Sequence, residues 1–436
     1  MRRTGRTSVL LALVAGSLLA GCTGGGGSDA ASDTTPVSVT EFVEPTEAVT
    51  LDWWVLTIGD EVRPAITEAI EDFEKLHPKI TIKIQERSTD AHKDAVRQTA
   101  GSDSAPDMFF MWTGKGLGGE FVESGASLDL TKYYELYGWK DRFSEATLSS
   151  HTQFGGYHGV PYTQRGEAIY YRKSLFEKAG ITSEPTTYEE LVTAAEKLKS
   201  ADIIPIQFGG TVNWHVMRLL DSLLETKCGA DTHNDLVGLK ADWAGEACVG
   251  EAFGELKTWG DNFFQPGYAG VTNDQAQADF FFPGKAAMAL EGDWYLNVLT
   301  ENGQDLDDFG MFRFPTGTGR LYGFSEGTYI SASSKNAGAA AEFLDFFTRD
   351  EYEQEHLGSF GAISVNKNVV DSSPEPLNKE WHDFFGTATG LYVNNDQSLS
   401  LENTTEYWRI QNSVLGGKIK PEDAGATMQK FIDSHA

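Results

Sequence analysis

The chain has 436 residues and an excess of acidic side chains, with 64 Asp and Glu against 35 Lys and Arg and a formal net charge of −29. So negative a surface repels nucleic acid and anionic lipid head groups, which argues against nucleic-acid binding and against membrane binding through a basic patch. Beyond the first segment, the sequence has no further apolar run long enough to cross a bilayer.

Residues 1–21 have the pattern of an export signal. Three arginines near the start precede an apolar stretch, Val9–Leu19, that is too short to span a bilayer. The run Leu19–Cys22 has the layout of a bacterial lipoprotein signal, in which cleavage leaves Cys22 as a lipidated N-terminus. The alternative is an ordinary secretory signal followed by a chance cysteine. We expect a protein held on the outer face of the plasma membrane by the lipid at Cys22 alone.

Residues 22–48 are rich in Gly, Ser, Thr, Asp and Pro, and Gly24–Gly27 are consecutive. Such a segment lacks the apolar residues needed for a core, so we expect a flexible tether. About 390 residues follow it. That length allows two or more domains of roughly 100–200 residues each.

The body of the chain begins with a predicted β-α-β unit. Leu51–Leu56 is an apolar run, and Pro64–Leu76 has apolar residues at helical spacing with proline in its first turn. Ile80–Ile84 alternates strictly between apolar and polar residues, as strands do. A further strand is predicted at Met108–Met111.

The alternation of strand and helix continues along the chain. Gly114–Gly119 predicts a turn, and Ala168–Tyr171 predicts a strand. Thr187 and Glu190 form a capping-box pattern at the start of a helix. The apolar residues of 340–347 mark a later helix that packs on a core. This order predicts parallel sheets covered by helices.

Cys228 and Cys248 are the two cysteines left once Cys22 is lipidated. We expect them to pair in an oxidising exterior, and closing a loop of this length would stabilise the fold by about 3 kcal/mol. A structural zinc needs four ligands, and only His233 lies between these cysteines. No metal site is therefore predicted.

Short motifs occur in order after the tether. They are Trp53-Trp54, Phe73–Pro78, Ala105–Met108, Gly159–Tyr162, Ile169–Lys173 with Phe176–Gly180, Pro185–Leu191, Gly284–Met288, Gly292–Trp294 and Ser334–Asn336. With them the chain resembles the extracellular solute-binding proteins of ABC sugar importers, the family that includes maltose- and multiple-sugar-binding proteins. The resemblance covers nearly everything after the tether.

The resemblance implies a two-lobed α/β fold of the periplasmic-binding-protein type. Each lobe would be a mainly parallel sheet flanked by helices, with the ligand in the cleft between lobes. The chain would cross between lobes near Tyr162–Glu167, Phe312–Pro315 and Ala362–Val365. Lobe one would hold residues 49–164 and 315–362, and lobe two would hold 165–314 and 363–436.

A sugar-binding cleft needs aromatic rings for the C–H faces of the sugar and polar groups for its hydroxyls. The positions at which family members commonly use a tryptophan and a neighbouring polar residue are occupied here by Trp53, Trp54, Trp112, Asn213, Trp214, Asp293 and Trp294. Weaker candidates, at strand ends and on loops that face the cleft in relatives, are Glu61, Asp107, Gln164, Arg165, Glu326 and Ser359.

Some candidates also have a structural interpretation. Trp53 and Trp54 are adjacent on a strand, so they point to opposite faces and we expect at least one in the cleft. Asp107 can equally brace a strand end, and Arg165 can pair with Glu167. The tryptophans expected to serve as packing residues are Trp139, Trp243, Trp259, Trp381 and Trp408.

The resemblance implies a monomeric solute-binding component that takes a di- or oligosaccharide outside the cell and delivers it to ABC permease transmembrane subunits, without a cofactor. One alternative is an exported glycoside hydrolase, but the chain lacks eight β-α repeats and a marked carboxylate pair. The other is a binder of a peptide, polyamine or metal ion on the same scaffold.

Overall fold

The computed structural model describes residues 42–60, 62–356, 363–369 and 376–435. The export signal, Cys22, most of the tether, Glu61 and Ser359 lie outside the described residues. The strands of the described chain are β1 (Val49–Leu56), β2 (Ile80–Arg87), β3 (Met108–Trp112), β4 (Val160–Arg172), β5 (Ile204–Ile206), β6 (Ala286–Gly292), β7 (Phe309–Phe312), β8 (Leu321–Ile330) and β9 (Leu391–Tyr392).

Helices separate most of these strands. They are α1 (Arg63–Leu76), α2 (Thr89–Thr99), α3 (Gly118–Glu123), α4 (Thr131–Leu136), α5 (Trp139–Arg142), α6 (Glu145–Thr152), α7 (Lys173–Lys178), α8 (Tyr188–Ser200), α9 (Asn213–Val237), α10 (Ala247–Asn262), α11 (Asn273–Ala276), α12 (Tyr295–Glu301), α13 (Ala337–Phe347), α14 (Asp350–Glu355), α15 (Pro376–Thr387), α16 (Asn395–Ser398), α17 (Leu401–Leu415) and α18 (Ala424–Ser434). A π-helical segment, Gln277–Phe281, follows α11.

The strands form one mixed sheet in the order β2-β1-β3-β8-β4-β6-β5, with β7 on β4 and β9 on β8. The pairs β1–β2, β1–β3, β5–β6 and β8–β9 are parallel. Each antiparallel pair in the described sheet includes β4 or β8. These two strands therefore join a β1–β3 end of the sheet to a β5–β6 end.

The predicted β-α-β unit is confirmed. β1 and β2 pair in parallel, with Val49 opposite Ile80, and α1 connects them. Ile66 and Phe73 on α1 are buried, so the apolar face of the helix covers the sheet. The helix begins one residue before the predicted Pro64, which occupies a position where a missing N–H costs no hydrogen bond.

The other predicted elements differ mainly in their ends. β3 extends to Trp112, and the strand predicted at Ala168–Tyr171 is the end of the longer β4. Thr187 and Glu190 form the predicted capping box at the start of α8. The turn predicted at Gly114–Gly119 was wrong for its last two residues, because α3 begins at Gly118.

Apolar clusters lie on both faces of the sheet. At the β1–β3 end Trp53 and Trp54 belong to different clusters, because successive side chains of a strand point to opposite faces. At the other end Ile169 and Tyr170 are divided in the same way. The predicted packing residues Trp139, Trp243, Trp259 and Trp381 are fully buried, and Trp408 is partly buried.

The predicted disulfide between Cys228 and Cys248 is confirmed, with Cα atoms 5.1 Å apart. It joins α9 to the first turn of α10, next to Gly229, where a positive φ of 75° interrupts α9. Across the described ranges, we found no helix with the length and apolar character needed to span a membrane.

Candidate functional site

A cavity of about 490 Å³ lies between the β1–β3 end and the β5–β6 end of the sheet, beside the strands β4 and β8 that join them. The carboxyl ends of β1, β3 and β6 contribute to its lining, together with the middle of β4 and β8 and the first turns of α9. Ligands of α/β proteins commonly bind outside the carboxyl ends of strands. The volume falls within the range of about 300–1,000 Å³ that is typical of small-molecule sites.

Aromatic rings form much of the lining. They are Trp53, Phe110, Trp112, Tyr162, Trp214, Trp294, Tyr295 and Phe324. Trp112 packs edge to face on Phe110 at 4.9 Å, and the ring of Trp294 lies 6.0 Å from that of Phe324. These contacts hold the rings in place, so they can act as preformed platforms for a ligand.

Arg218 links two of the tryptophans. Its guanidinium carbon is 4.8 Å from the ring centroid of Trp214 and 5.1 Å from that of Trp294, within the range of cation–π contacts. The guanidinium is also 3.0 Å from Glu167 Oε2 on β4 and 2.8 Å from Glu291 Oε2 on β6. The two carboxylates fix the arginine, and the arginine fixes the two indole rings.

The two carboxylates around Arg218 differ in their pKa. Burial raises the pKa of Glu167 to about 7, because Arg218 offsets only part of the desolvation. Burial acts in the same direction on Glu291, but Arg218 and His215 outweigh it and lower the pKa of Glu291 to about 2. Asn273 Nδ2 and Gln277 Nε2 also donate to Glu291 Oε1, each at 2.9 Å.

Arg165 on β4 forms a second buried cluster. Its Nη1 donates to Asp293 Oδ2 at 2.9 Å and its Nε to Glu326 Oε2 at 3.1 Å. Thr163 also donates to Glu326. Burial raises the pKa of Glu326, and Arg165 acts against that rise. The cluster brings together β4, β8 and the loop after β6.

An ion pair between Lys93 and Asp396 lies at a further side of the cavity. Lys93 Nζ on α2 lies 3.7 Å from Asp396 Oδ2 on α16 and 4.7 Å from the ring centroid of Trp112. The backbone N–H of Gly116 donates to the carbonyl of Gln397 at 3.2 Å. The segment 394–399 therefore covers the cavity from the side of β3.

Residues 59–354 match the family model described as bacterial extracellular solute-binding protein. The chain belongs to this family. An ABC transporter extracellular-binding protein of Pyrococcus horikoshii is 26% identical over 394 residues, covering 87% of this chain and 85% of the relative. A multiple sugar-binding protein of Streptococcus mutans is 22% identical, covering 73% of this chain and 76% of the relative.

Among solved structures, a chitin oligosaccharide binding protein superposes with a TM-score of 0.81 at 25% identity, covering 89% of this chain and 98% of that one. The predicted fold class is confirmed: the chain has the two-lobed α/β fold of this family. As a family member, the protein is an extracellular solute-binding protein.

The structure places part of the predicted set of this solute-binding protein in the cavity lining. These residues are Trp53, Trp112, Arg165, Trp214, Asp293, Trp294 and Glu326. Both interpretations of Trp53 apply, because it lines the cavity and also packs edge to face on Phe343 at 5.4 Å in a core. Arg165 pairs with Asp293 and Glu326 rather than with Glu167.

Four other predicted residues lie away from the lining. The ring of Trp54 packs beneath Arg87, 3.9 Å from its guanidinium carbon. Asp107 accepts from Asp52 N at 3.1 Å and from Ser334 Oγ at 2.5 Å, and so braces the strand ends. Gln164 Oε1 accepts from Thr147, and Asn213 Oδ1 accepts from Asn412.

The site predicted from the sequence did not include much of the polar lining. The missed residues include Lys93, Arg218, Asn273, Glu291, Asn394 and Asp396. Two had a local signal: Glu291 lies two residues before the predicted Asp293, and Arg218 lies one helical turn after Trp214 on the same face. Asn394 and Asp396 had none, because they belong to the segment 394–399, far along the chain, which only the fold brings to the cavity.

Proposed function

We propose that this protein captures a carbohydrate, a di- or oligosaccharide, outside the cell and delivers it to the transmembrane subunits of an ABC permease. The observation that supports this most is the lining of the cavity, which contains both tryptophan rings and buried ionic groups. The names of its relatives agree, since one is a multiple sugar-binding protein and one structural neighbour is a chitin oligosaccharide binding protein.

The two kinds of lining suit the two parts of a sugar. Trp112, Trp214 and Trp294 can stack on the apolar C–H faces, and the carboxylates and amides can exchange hydrogen bonds with hydroxyls. The Nε1 atom of Trp214 is buried without a hydrogen-bond partner in the described structure. Because an unpaired buried donor is costly, we expect a ligand oxygen to accept from it.

We propose that the protein binds its carbohydrate without converting it. A glycoside hydrolase needs two carboxyl groups that flank the scissile bond, one of them free to donate a proton. Asp293 and Glu326 instead bond to the same guanidinium, that of Arg165, and Glu291 is held as a carboxylate by Arg218. The carboxylates therefore support recognition of hydroxyls.

We keep the proposed division into lobe one, 49–164 with 315–362, and lobe two, 165–314 with 363–436. The crossing proposed near Tyr162–Glu167 lies on β4, which pairs with both β8 and β6, and the crossing proposed near Phe312–Pro315 begins at the end of β7. We propose that these crossings act as the hinge. The crossing proposed near Ala362–Val365 falls only partly within the described residues. Binding of a sugar between the lobes would then favour the closed arrangement.

We also propose that the mature protein is a monomer anchored by a lipid on Cys22, with residues 22–48 as the tether. In Cys22→Ser the folded protein is expected in the culture medium instead of the membrane fraction, because serine has no thiol to carry the lipid. A variant that stays with membranes would contradict the anchor. Light scattering of the soluble variant measures the oligomeric state.

The test of the proposed function is a ligand panel on the purified protein. Calorimetry and thermal shift are measured with cello-, xylo-, malto-, galacto- and chito-oligosaccharides of one to five rings. Nitrophenyl glycosides are tested in parallel for release of nitrophenol. We expect saturable binding of at least one oligosaccharide and no turnover; turnover would show an enzyme. Binding of peptides or polyamines alone would show a different solute.

A further inference from the structure

The charges that line the cavity are unbalanced. Within the described lining, six residues carry a carboxylate and three carry a cation. The acidic residues are Asp274, Glu291, Asp293, Glu301, Glu326 and Asp396. The cations are Lys93, Arg165 and Arg218. An anionic ligand would therefore enter a region of negative potential.

The three cations already have carboxylate partners. Arg165 pairs with Asp293 and Glu326, at 2.9 and 3.1 Å. Arg218 pairs with Glu167 and Glu291, and Lys93 with Asp396. A carboxylate on the ligand that approached any of these cations would meet a protein carboxylate beside it. Like charges that meet at such an interface repel each other, so the cations do not form an anion site.

Two amide side chains of the lining add a second, independent signal. Asn273 Nδ2 donates to Glu291 Oε1 at 2.9 Å, and Asn394 Nδ2 donates to Glu167 Oε1 at 3.4 Å. These donations set the orientation of each amide, since an ionised carboxylate only accepts hydrogen bonds and the amide donates only through its N–H groups. The Oδ1 atoms of both residues are buried and have no hydrogen-bond partner in the described structure.

Those two oxygens need a donor. A hydroxyl or an amine can supply one, whereas an ionised carboxylate has acceptors only. Asn394 is 7% exposed, so bulk water does not easily serve its side chain. Two buried acceptors and an excess of negative charge thus favour the same ligand chemistry, although one observation concerns hydrogen bonds and the other concerns charge.

We infer that the cavity takes carbohydrates whose polar groups are hydroxyls or amines and rejects those that carry a carboxylate, such as uronic acids. This inference rests on the proposed function and narrows its ligand class. In this arrangement the paired arginines orient the lining, and the surplus carboxylates discriminate against acidic sugars.

The test compares matched sugars at pH 7.5. The tightest-binding neutral oligosaccharide of the panel is measured by calorimetry beside its C6-oxidised uronate form and its amino-sugar form. We expect the uronate to bind at least about thirtyfold more weakly than the neutral sugar, since one like-charge contact is enough for that loss. The amino sugar is expected to bind at least as tightly as the neutral one.

Two variants assign the effect to the lining. In Asp293→Asn, Arg165 loses one carboxylate, so the neutral-to-uronate ratio should fall at least about fivefold. Glu301→Gln removes a lining charge at an exposed position and should also lower the neutral-to-uronate ratio. This second variant keeps the test decisive if Asp293→Asn fails to fold. The control Glu406→Gln, on α17 and outside the lining, should leave the ratio unchanged.

The outcomes separate the inference from the proposed function. Equal or tighter binding of the uronate, with the neutral sugar still bound, overturns the inference and leaves the proposed function standing. A ratio that neither lining variant changes also overturns it, because the carboxylates would then not discriminate. Absence of binding for every sugar, neutral, amino and acidic, overturns both.

Discussion

Glu167 on β4 forms a 3.0 Å ion pair with Arg218 on α9, where both side chains are almost completely buried. Burial raises the pKa of Glu167 from 4.5 to about 7, even though Arg218 opposes that rise. The other groups that act on this carboxyl are Glu291 and Asp396, which are acidic, and Asn394, which donates a hydrogen bond to it. The pair that positions two tryptophans is therefore sensitive to pH.

The first prediction concerns that sensitivity. A carboxyl whose pKa is higher in the folded state binds its proton more tightly there, so its stabilising contribution declines as the pH rises from about 4.5 to about 7. In Glu167→Gln this contribution is absent. The free energy of unfolding of the variant, relative to the native protein, is expected to increase between pH 5 and pH 8 in urea titrations.

Burial also raises the pKa of Glu353 to about 7, and this group titrates over the same range in both proteins. The difference between variant and native protein therefore isolates Glu167. A difference that stays constant between pH 5 and pH 8 would contradict the raised pKa.

The second prediction concerns the disulfide. Replacing both Cys228 and Cys248 by Ala should lower the free energy of unfolding by about 3 kcal/mol, because the unfolded chain loses a cross-link that closes a loop of about 20 residues. Urea unfolding with and without reductant measures this. Reductant should lower the stability of the native protein and leave that of the double variant unchanged. If the free energy of unfolding of the native protein is the same with and without reductant, the prediction is contradicted.

The third prediction concerns a platform of the cavity. Trp214→Ala should weaken binding of the best panel oligosaccharide at least about tenfold, since truncating a buried aromatic anchor commonly costs about 2 kcal/mol or more. Trp214 is only partly buried in the protein, so the melting temperature without ligand should change little.

The matched control is Trp408→Ala. Trp408 is also partly buried and packs on the same core cluster, beside Met217, but it lies outside the cavity lining. It should show the opposite pattern, with a lower melting temperature and unchanged affinity of the remaining folded protein. If Trp214→Ala lowers stability and leaves affinity intact, Trp214 is a core residue and the ligand binds elsewhere.

The sequence predicted well those features that depend on neighbouring residues. The β1–α1–β2 unit follows from local periodicity, and the α8 capping box from Thr187 and Glu190. Trp214 and Trp294 stood out because each lies beside polar residues at the start of a helix rather than inside an apolar run.

The ionic part of the site could not be predicted in the same way. Lys93 and Asp396 come from opposite ends of the chain, and only the fold brings them to 3.7 Å. A pair between Arg165 and Glu167 was one interpretation, because the two residues are close in sequence. In the structure Arg165 pairs with Asp293 and Glu326, and Glu167 pairs with Arg218. The chain also has 64 acidic residues, so the sequence alone does not show which few of them line the cavity.

The last prediction concerns the contact between the turn 113–117 and the segment 395–399. The N–H of Gly116 donates to the carbonyl of Gln397 at 3.2 Å, so the two backbones are very close. A Cβ atom on Gly116 would lie 2.2 Å from the carbonyl oxygen of Leu399 and 2.4 Å from that of Asp396. The segment is fixed to α9, because Asn395 N donates to Asp221 Oδ2 at 2.9 Å.

Because those carbonyls belong to backbone, they cannot give way as a side-chain tip could. Gly116→Ala should therefore keep the two segments apart, disfavour the closed arrangement and weaken sugar binding at least about tenfold, with little change in the melting temperature without ligand. Calorimetry measures the affinity, and small-angle X-ray scattering with saturating sugar measures compaction. The control Gly386→Ala lies on α15 where a Cβ meets no atom within 4 Å, and it should bind and compact as the native protein does. Native affinity and native compaction in Gly116→Ala would show that this contact plays no part in closure.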